Sequence, residues 1–346
     1  MIALHLVTGF LGAGKTSFLN RLLGDTAFGG TLVLVNEFGA AALDHWLYER
    51  LDGEVALIAS GCLCCALRGD FIDGLQRLLA RRDASELTFQ RIVVETSGLA
   101  DPGPILHALF ADATLATRLR LANVTTLVDA VNGAATLERH GEARRQVALA
   151  DRIAISKTDL AISKGDLAIS KTDLAPSAPL RALLARLAPQ AAISDAGEID
   201  AAAFLAEIAR PLVAYSPRAA HGDVEAHVFR SAAPIAAVAF SRFLTLLSEA
   251  AGPRLLRVKG LVATDDDPER PWLIQGAQHA FAPPLRLPAW PPGGAQTSLV
   301  VIGEGMASVA QRLWDALTGA LAPDAPDWTA LSENPLAPGR RRGLLG

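Results

Sequence analysis

The chain has 346 residues, 51% of them hydrophobic and 20% charged, with a formal net charge of −4 and a pI near 6.0. That is enough apolar material for two buried cores, and so for two domains. It excludes the broad basic field that draws proteins onto nucleic acid, and no apolar run reaches the roughly 18 residues of a membrane-spanning helix, so neither nucleic acid nor membrane is expected as a partner.

Met1-Ile2-Ala3-Leu4-His5-Leu6 runs directly into a motif that must be folded, with no leader pattern before it, and a cytoplasmic location is expected. Residues 3–8 predict a strand, and Gly9-Phe-Leu-Gly-Ala-Gly14-Lys15-Thr16 then fits G-x-x-x-x-G-K-[ST]. Phe18, Leu19, Leu22 and Leu23 continue at helix spacing. Glycines let backbone wrap closely around phosphates, and the free N–H groups at the start of the helix attract anions. Gly9, Gly12, Ala13, Gly14, Lys15, Thr16 and Ser17 are therefore the expected phosphate cradle. Lys15 would reach the terminal phosphates and the Thr16 hydroxyl would bind Mg²⁺.

Further strands are predicted at 31–36 and 55–59, and the second leads to Cys62, Cys64 and Cys65. These are the only cysteines, too close together to staple distant segments, so metal or redox chemistry is the alternative. Thiolates favour Zn²⁺ and Cu⁺, and a transfer site needs fewer protein ligands than a closed structural one. Arg91 to Glu95 reads as an apolar strand ending in an acid, with Gly98 just beyond. Glu95 would share the magnesium shell with Thr16, and these two with Lys15 form the expected catalytic set. Gly98 would lie where a loop senses the γ-phosphate.

A strand at 123–128 ends at Asp129, which should face the nucleotide edge of the sheet, and a helix is predicted from Thr136 to Ala150. The strand 152–156 opens a tandem of three units, Ala154-Ile-Ser-Lys157-Thr-Asp159-Leu160, Ala161-Ile-Ser-Lys164-Gly-Asp166-Leu167 and Ala168-Ile-Ser-Lys171-Thr-Asp173-Leu174. Ser-Lys-x-Asp resembles the base-reading motif of P-loop GTPases, whose Asp accepts hydrogen bonds from guanine. Only one unit can serve, and the first is favoured because its strand follows directly on the preceding helix; the third is the runner-up. Lys157 and Asp159 are thus the expected base contacts. Ser156 stands where many such proteins have Asn, and loss of that amide is expected to loosen the loop.

The stretch 211–222 reads as a linker between a first domain, 1–210, and a second, 223–322, with a tail at 323–346. In the second domain 254–262, 272–275 and 298–302 predict strands, and 240–250 and 306–321 predict helices.

Together these motifs resemble the CobW-like family of P-loop GTPases, which includes metal chaperones. The resemblance rests on the P-loop, Asn36-Glu-Phe-Gly39, Gly61-Cys-Leu-Cys-Cys65, Glu95-Thr-Ser-Gly-Leu-Ala-Asp-Pro102, Ser-Lys-Thr-Asp, Leu256-Arg-Val-Lys-Gly260, Ile274-Gln-Gly-Ala277 and Leu299-Val-Val-Ile-Gly303. It implies a mostly parallel α/β GTPase sheet covered by helices on both faces, with a smaller C-terminal α+β domain. It also implies GTP hydrolysis with Mg²⁺, coupled to delivery of Zn²⁺, or Co²⁺ or Fe²⁺ in some relatives, to a client metalloprotein; a homodimer is open. By the same resemblance Glu37 would join Cys62, Cys64 and Cys65 as a metal ligand. Ala40 stands where the family often has a second Glu, and Asp44 or His45 are the candidate substitutes. A P-loop small-molecule kinase and a non-catalytic, nucleotide-gated binding module are the alternatives.

Overall fold

Strands β1 (Ile2–Gly9), β2 (Thr31–Val35), β4 (Arg91–Glu95), β5 (Leu119–Asp129) and β6 (Arg152–Ser156) are buried along nearly their whole length, as strands covered on both faces must be. The computed structural model describes residues 1–35, 55–57, 68–159, 178–206, 219–221, 224–291 and 295–319. With β3 (Val55–Leu57) and β7 (Ala192–Asp195), these strands form a parallel sheet in the order β3-β2-β4-β1-β5-β6-β7. The period of two sorts their side chains. Leu4, Leu6, Leu32, Leu34, Ile92 and Val94 face α2 (Arg68–Asp83) and α3 (Gly103–Ala111). Val7, Val33 and Val93 face α1 (Lys15–Leu23) through Phe18, Leu19 and Leu22, with Phe204 of the short helix α8 (Ala201–Leu205) packed alongside.

The predicted helix over 136–150 is two helices, α5 (Gly133–Arg139) and α6 (Gly141–Ala148). His140 between them is extended, with φ −120° and ψ 115°, which breaks the ladder ahead of Gly141. Helix α4 (Ala113–Arg118) starts at Asp112, whose carboxylate caps Leu115 N–H, and α7 (Ala178–Leu187) lies between β6 and β7 in the chain. Strand β7 was not predicted: Ala-Ile-Ser-Asp is short, and as the edge of the sheet it is only half-buried.

The second sheet is antiparallel, in the order β12-β11-β10-β14-β9-β8. Its strands are β8 (Ala219–His221), β9 (Val224–Ser231), β10 (Leu255–Val262), β11 (Trp272–Ala277), β12 (Ala280–Phe281) and β14 (Thr297–Glu304), with β13 (Leu285–Arg286) beside β11. Strand β8 falls within the stretch 211–222 and pairs with β9. Along β14, Leu299 and Val301 pack with Phe240, Phe243 and Leu247 of α9 (Ala237–Ala251) and Trp314 of α10 (Ala307–Thr318). Val300 and Ile302, one residue out of phase, join the cluster that contains Leu4 and Ile92 of the first sheet. The second sheet thus buries one face under its own helices and the other in the core of the first domain.

One polar cluster fixes that seam. Both carboxylate oxygens of Asp151 accept from Arg257 Nη2, at 2.9 and 2.8 Å, and Lys259 Nζ donates to Oδ1 at 2.6 Å. Val124 N–H donates to Oδ2 at 2.9 Å, so the group also ties β5 to β6. Burial alone would raise the Asp151 pKa, but the charges of Arg257 and Lys259 hold it below the ordinary carboxylate range.

Asp151→Ala leaves two cations facing an apolar seam and is expected to cost about 3–5 kcal/mol in denaturant unfolding; a loss under about 1 kcal/mol would show that the seam does not depend on it. Because the folded pKa is depressed, the stabilisation is complete above the ordinary carboxylate range and disappears as pH falls through the folded value. Acidification should therefore narrow the difference between wild type and variant.

Candidate functional site

The end of β1 approaches β5 so closely that a Cβ on Gly9 would lie 2.5 Å from Leu127 O, and its φ of 145° is open to glycine. Gly14, at φ 84°, then turns the chain into α1. The opening amides of a helix have no intrahelical acceptor, so this turn presents a ring of donors. Lys15 is nine-tenths buried, and its ammonium donates to Gly9 O at 2.9 Å and Phe10 O at 3.4 Å, which folds it across the mouth of the loop. Gly12 is exposed, Ala13 buried, and Ser17 exposed on the first turn of α1.

Parallel pairing of β1 with β4 sets Val7 against Glu95, so both strands finish at the P-loop. Thr16 Oγ1 donates to Glu95 Oε1 at 3.0 Å, bringing together the two residues expected to share a magnesium ion. Thr96 is fixed beside them through its N–H to Val7 O, 2.9 Å, and its hydroxyl to that of Thr8, 2.8 Å. Gly98 then lies directly on the P-loop: a Cβ there would meet Leu11 Cδ2 at 2.6 Å and Leu11 Cα at 2.8 Å.

Two residues that the sequence reading missed hold this segment. Gln146, buried on α6, donates from Nε2 to Gly98 O at 3.1 Å and to Ala100 O at 2.9 Å. Arg145, its neighbour, lies 3.5 Å from Asp101 and donates to Glu304 Oε1 from Nε at 3.0 Å and Nη2 at 2.8 Å. Burial raises the Asp101 pKa above the ordinary range, against the opposing pull of Gly103 N–H and Arg145. Partial burial disfavours charge on Arg145, yet its hydrogen bond and attraction to Glu304 carry its pKa upward. The signal for Gln146 in the sequence is faint, a polar residue ahead of Val147-Ala-Leu-Ala150.

On the other flank, Ser156 Oγ donates to Ala13 O at 2.8 Å. This hydroxyl gives the strand end a direct contact with the P-loop carbonyl. Lys157 holds a left-handed φ of 58°, a conformation that costs a side chain energy, and its ammonium pairs with Asp129 Oδ2 at 2.8 Å. Burial of Asp129 would raise its pKa, but the Lys157 hydrogen bond and the N–H groups of Val131 and Asn132 hold it low. A cavity of about 150 Å³ opens here, lined by Phe10, Ala13, Asp129, Gln146, Val147 and Lys157 among others. Asp159 is exposed at the end of the described stretch.

Cys62, Cys64, Cys65, Glu37, Asp44, His45 and the second and third repeat units lie outside the described residues. Among the described residues, no three His, Cys, Asp or Glu side chains are grouped so as to hold a metal ion, and no helix is long and apolar enough to cross a membrane. His107 contacts His279 across the domain seam, Nε2 to Nε2 at 2.8 Å.

Residues 3–186 match the family described as CobW/HypB/UreG, nucleotide-binding domain, and residues 224–321 match the cobalamin synthesis protein CobW C-terminal domain. The chain is similar to the zinc chaperone YjiA of Escherichia coli K12, with 31% identity over 315 residues, 87% of this chain and 94% of that protein. It is 33% identical over 167 residues to the zinc-regulated GTPase metalloprotein activator 1 of Schizosaccharomyces pombe, covering 46% of this chain and 39% of the relative. Among solved structures, the Zn(II)-bound YjiA GTPase from E. coli matches with a TM-score of 0.65 and 26% identity, over 93% of this chain and 99% of that one.

Gly98→Ala forces a methyl group into P-loop backbone and is expected to destabilise the fold by about 1–3 kcal/mol in thermal or denaturant unfolding, as overpacking does elsewhere. An unchanged stability would mean that the segment leaves the P-loop at little cost.

Proposed function

The chain belongs to the CobW/HypB/UreG family, and from that premise we propose that it is a GTP-binding and GTP-hydrolysing metallochaperone. On this reading it takes up zinc at Cys62, Cys64 and Cys65, with Glu37, and passes it to a client metalloprotein in the cytoplasm. The observation that carries the reading is the alignment of three neighbouring strand ends. Val35 pairs with Leu57 on one side and with Glu95 on the other, so the chain leaves β2 toward Glu37, β3 toward the cysteines and β4 toward Gly98 from one edge of the sheet. A group that orders the exit of β4 acts beside the ends of β2 and β3, after which Glu37 and the cysteines follow in the chain. The matched zinc chaperones and zinc-bound GTPase are consistent with zinc as the cargo.

In this reading the amides at the start of α1 bind the phosphates, and Lys15 exchanges its carbonyl contacts for the terminal phosphate oxygens. Thr16 and Glu95 offer a hydroxyl and a carboxylate oxygen, a donor set suited to Mg²⁺, which when bound neutralises charge on those phosphates. Gly98 approaches the γ-phosphate with its backbone. Lys157 covers one face of the base, and the Asp159 carboxylate accepts from guanine N1–H and the N2 amino group, a pattern adenine cannot supply.

Two measurements test this. Zinc affinity should differ between the GDP state and a non-hydrolysable GTP analogue, because a ligand moves a two-state equilibrium only by differential affinity; equal affinities would remove the coupling. Asp159→Asn is expected to lower guanine-nucleotide affinity about ten- to a hundredfold, the worth of hydrogen bonds to a charged group, while Asp173→Asn leaves it unchanged. The reverse outcome would assign the base to the third unit.

A further inference from the structure

The two domains meet where the P-loop segment is held. Glu304 ends β14, a central strand of the second sheet, and its carboxylate takes two hydrogen bonds from Arg145, whose guanidinium also faces Asp101. Arg145 and Gln146 are adjacent on α6, so the helix that Glu304 grips is the helix whose Gln146 holds Gly98 and Ala100 against the P-loop. From these contacts we propose that Arg145 is a positioning residue for the segment 98–101, and that through it Glu304 makes the second domain a brace on the nucleotide-sensing loop.

The proposal rests on the nucleotide-binding reading above and adds a residue of the second domain to it. The contacts of Arg145 are unequal. Toward Glu304 it makes two hydrogen bonds at 3.0 and 2.8 Å; toward Asp101 it has a single approach of 3.5 Å. When segment 98–101 shifts, the Asp101 contact is therefore the one that parts, and Arg145 stays with the second domain. Asp101 also accepts from Gly103 N–H at 2.8 Å, at the start of α3, so its carboxylate joins the sensing loop to that helix. The same helix carries His107 to His279, in the turn between β11 and β12, so the second domain touches both ends of the route that leaves the P-loop. Glu304 cannot easily yield. The residue before it, Gly303, has no room for a Cβ, which would lie 2.0 Å from Met306 Sδ and 2.6 Å from Arg254 O, and the strand below is packed into the shared core through Val300 and Ile302.

The test uses the full chain and Glu304→Gln, Arg145→Gln and the double variant. In nucleotide-free protein, hydrogen exchange at the amides of residues 98–101 and 103 should quicken about two- to fivefold in Glu304→Gln, the scale of a partly exposed ion pair, while amides of β1 and β10 keep their rates. The ratio of affinities for a GTP analogue and GDP should change by a similar factor, and the double variant should show no more than Arg145→Gln alone, because the two residues act as one contact. A purely structural role would shift both nucleotide affinities together and leave their ratio as in the wild type. Unchanged exchange at 98–101 and 103, an unchanged ratio or additive effects of the two substitutions would each overturn the proposal. If exchange quickens but no variant, nor the wild type, binds guanine nucleotide, the functional reading fails and the proposal with it, and that failure is told apart by the binding measurement alone.

Discussion

A buried carboxylate with two cations on it governs how this molecule is assembled. Asp151 is almost wholly out of water, and its two oxygens are shared among Arg257, Lys259 and Val124 N–H. Its own carbonyl accepts Ala192 N–H, which brings the first residue of β7 to the same point. Removing three charges from water costs several kcal/mol per ion, a cost met only when geometry and hydrogen bonds are good. An apolar seam could be as strong; what the ions add is position, because only one register of β10 lets Arg257 and Lys259 reach the same acid. The irregularity in the pairing of β10 with β14, between Leu255 and Arg257, adjusts that register.

Strand β6 connects this docking point to the site. Asp151 immediately precedes it, and Ser156 and Lys157 stand at and just past its end, where the hydroxyl grips Ala13 O and the ammonium grips Asp129. A strand buried on both faces transmits position well, since its pairing with β5 and β7 leaves no slack along its length. Strand β6 is thereby tied to the P-loop at one end and to the second domain at the other. This explains why Lys157 can occupy a left-handed conformation: the contacts on either side over-determine it.

Much of the first domain was legible because its signals are local. A glycine-rich turn between an apolar strand and a helix defines itself within about fifteen residues, and strands buried on both faces announce themselves as near-continuous apolar runs such as Leu32-Val-Leu-Val35 and Ile92-Val-Val94. The contact of Thr16 with Glu95 followed from parallel strands ending at one edge. The rest is non-local. Nothing near Asp151 in the sequence distinguishes it from a surface acid, because its charged partners lie more than a hundred residues away. Glu304 and Arg145, 159 positions apart, carry no local signal for the same reason. Strand β7 fell below recognition because an edge strand of four residues carries little hydrophobic signal. The contact of Ser156 with Ala13 O joins residues 143 positions apart, and no local pattern encodes it.

The anchors also set how far a rearrangement can spread. Thr96 is fixed to β1 by its N–H and its hydroxyl, and α3 begins at Gly103 with its first turn tied back to Asp101 and its second to His279. Between those fixed points lie residues 97–102, held at Gly98 and Ala100 by Gln146 and approached at Asp101 by Arg145. Gly98 is the pivot best suited to a shift of this segment: it touches Leu11 without a side chain in the way, whereas Leu99 beside it points to solvent and holds nothing. Gln146 holds two of the segment's carbonyls from one amide, so displacing the segment means breaking both hydrogen bonds. A short loop with pinned ends cannot by itself displace a domain. What it can do is exchange the Asp101 contact of Arg145, a residue already clasped to the other sheet through Glu304.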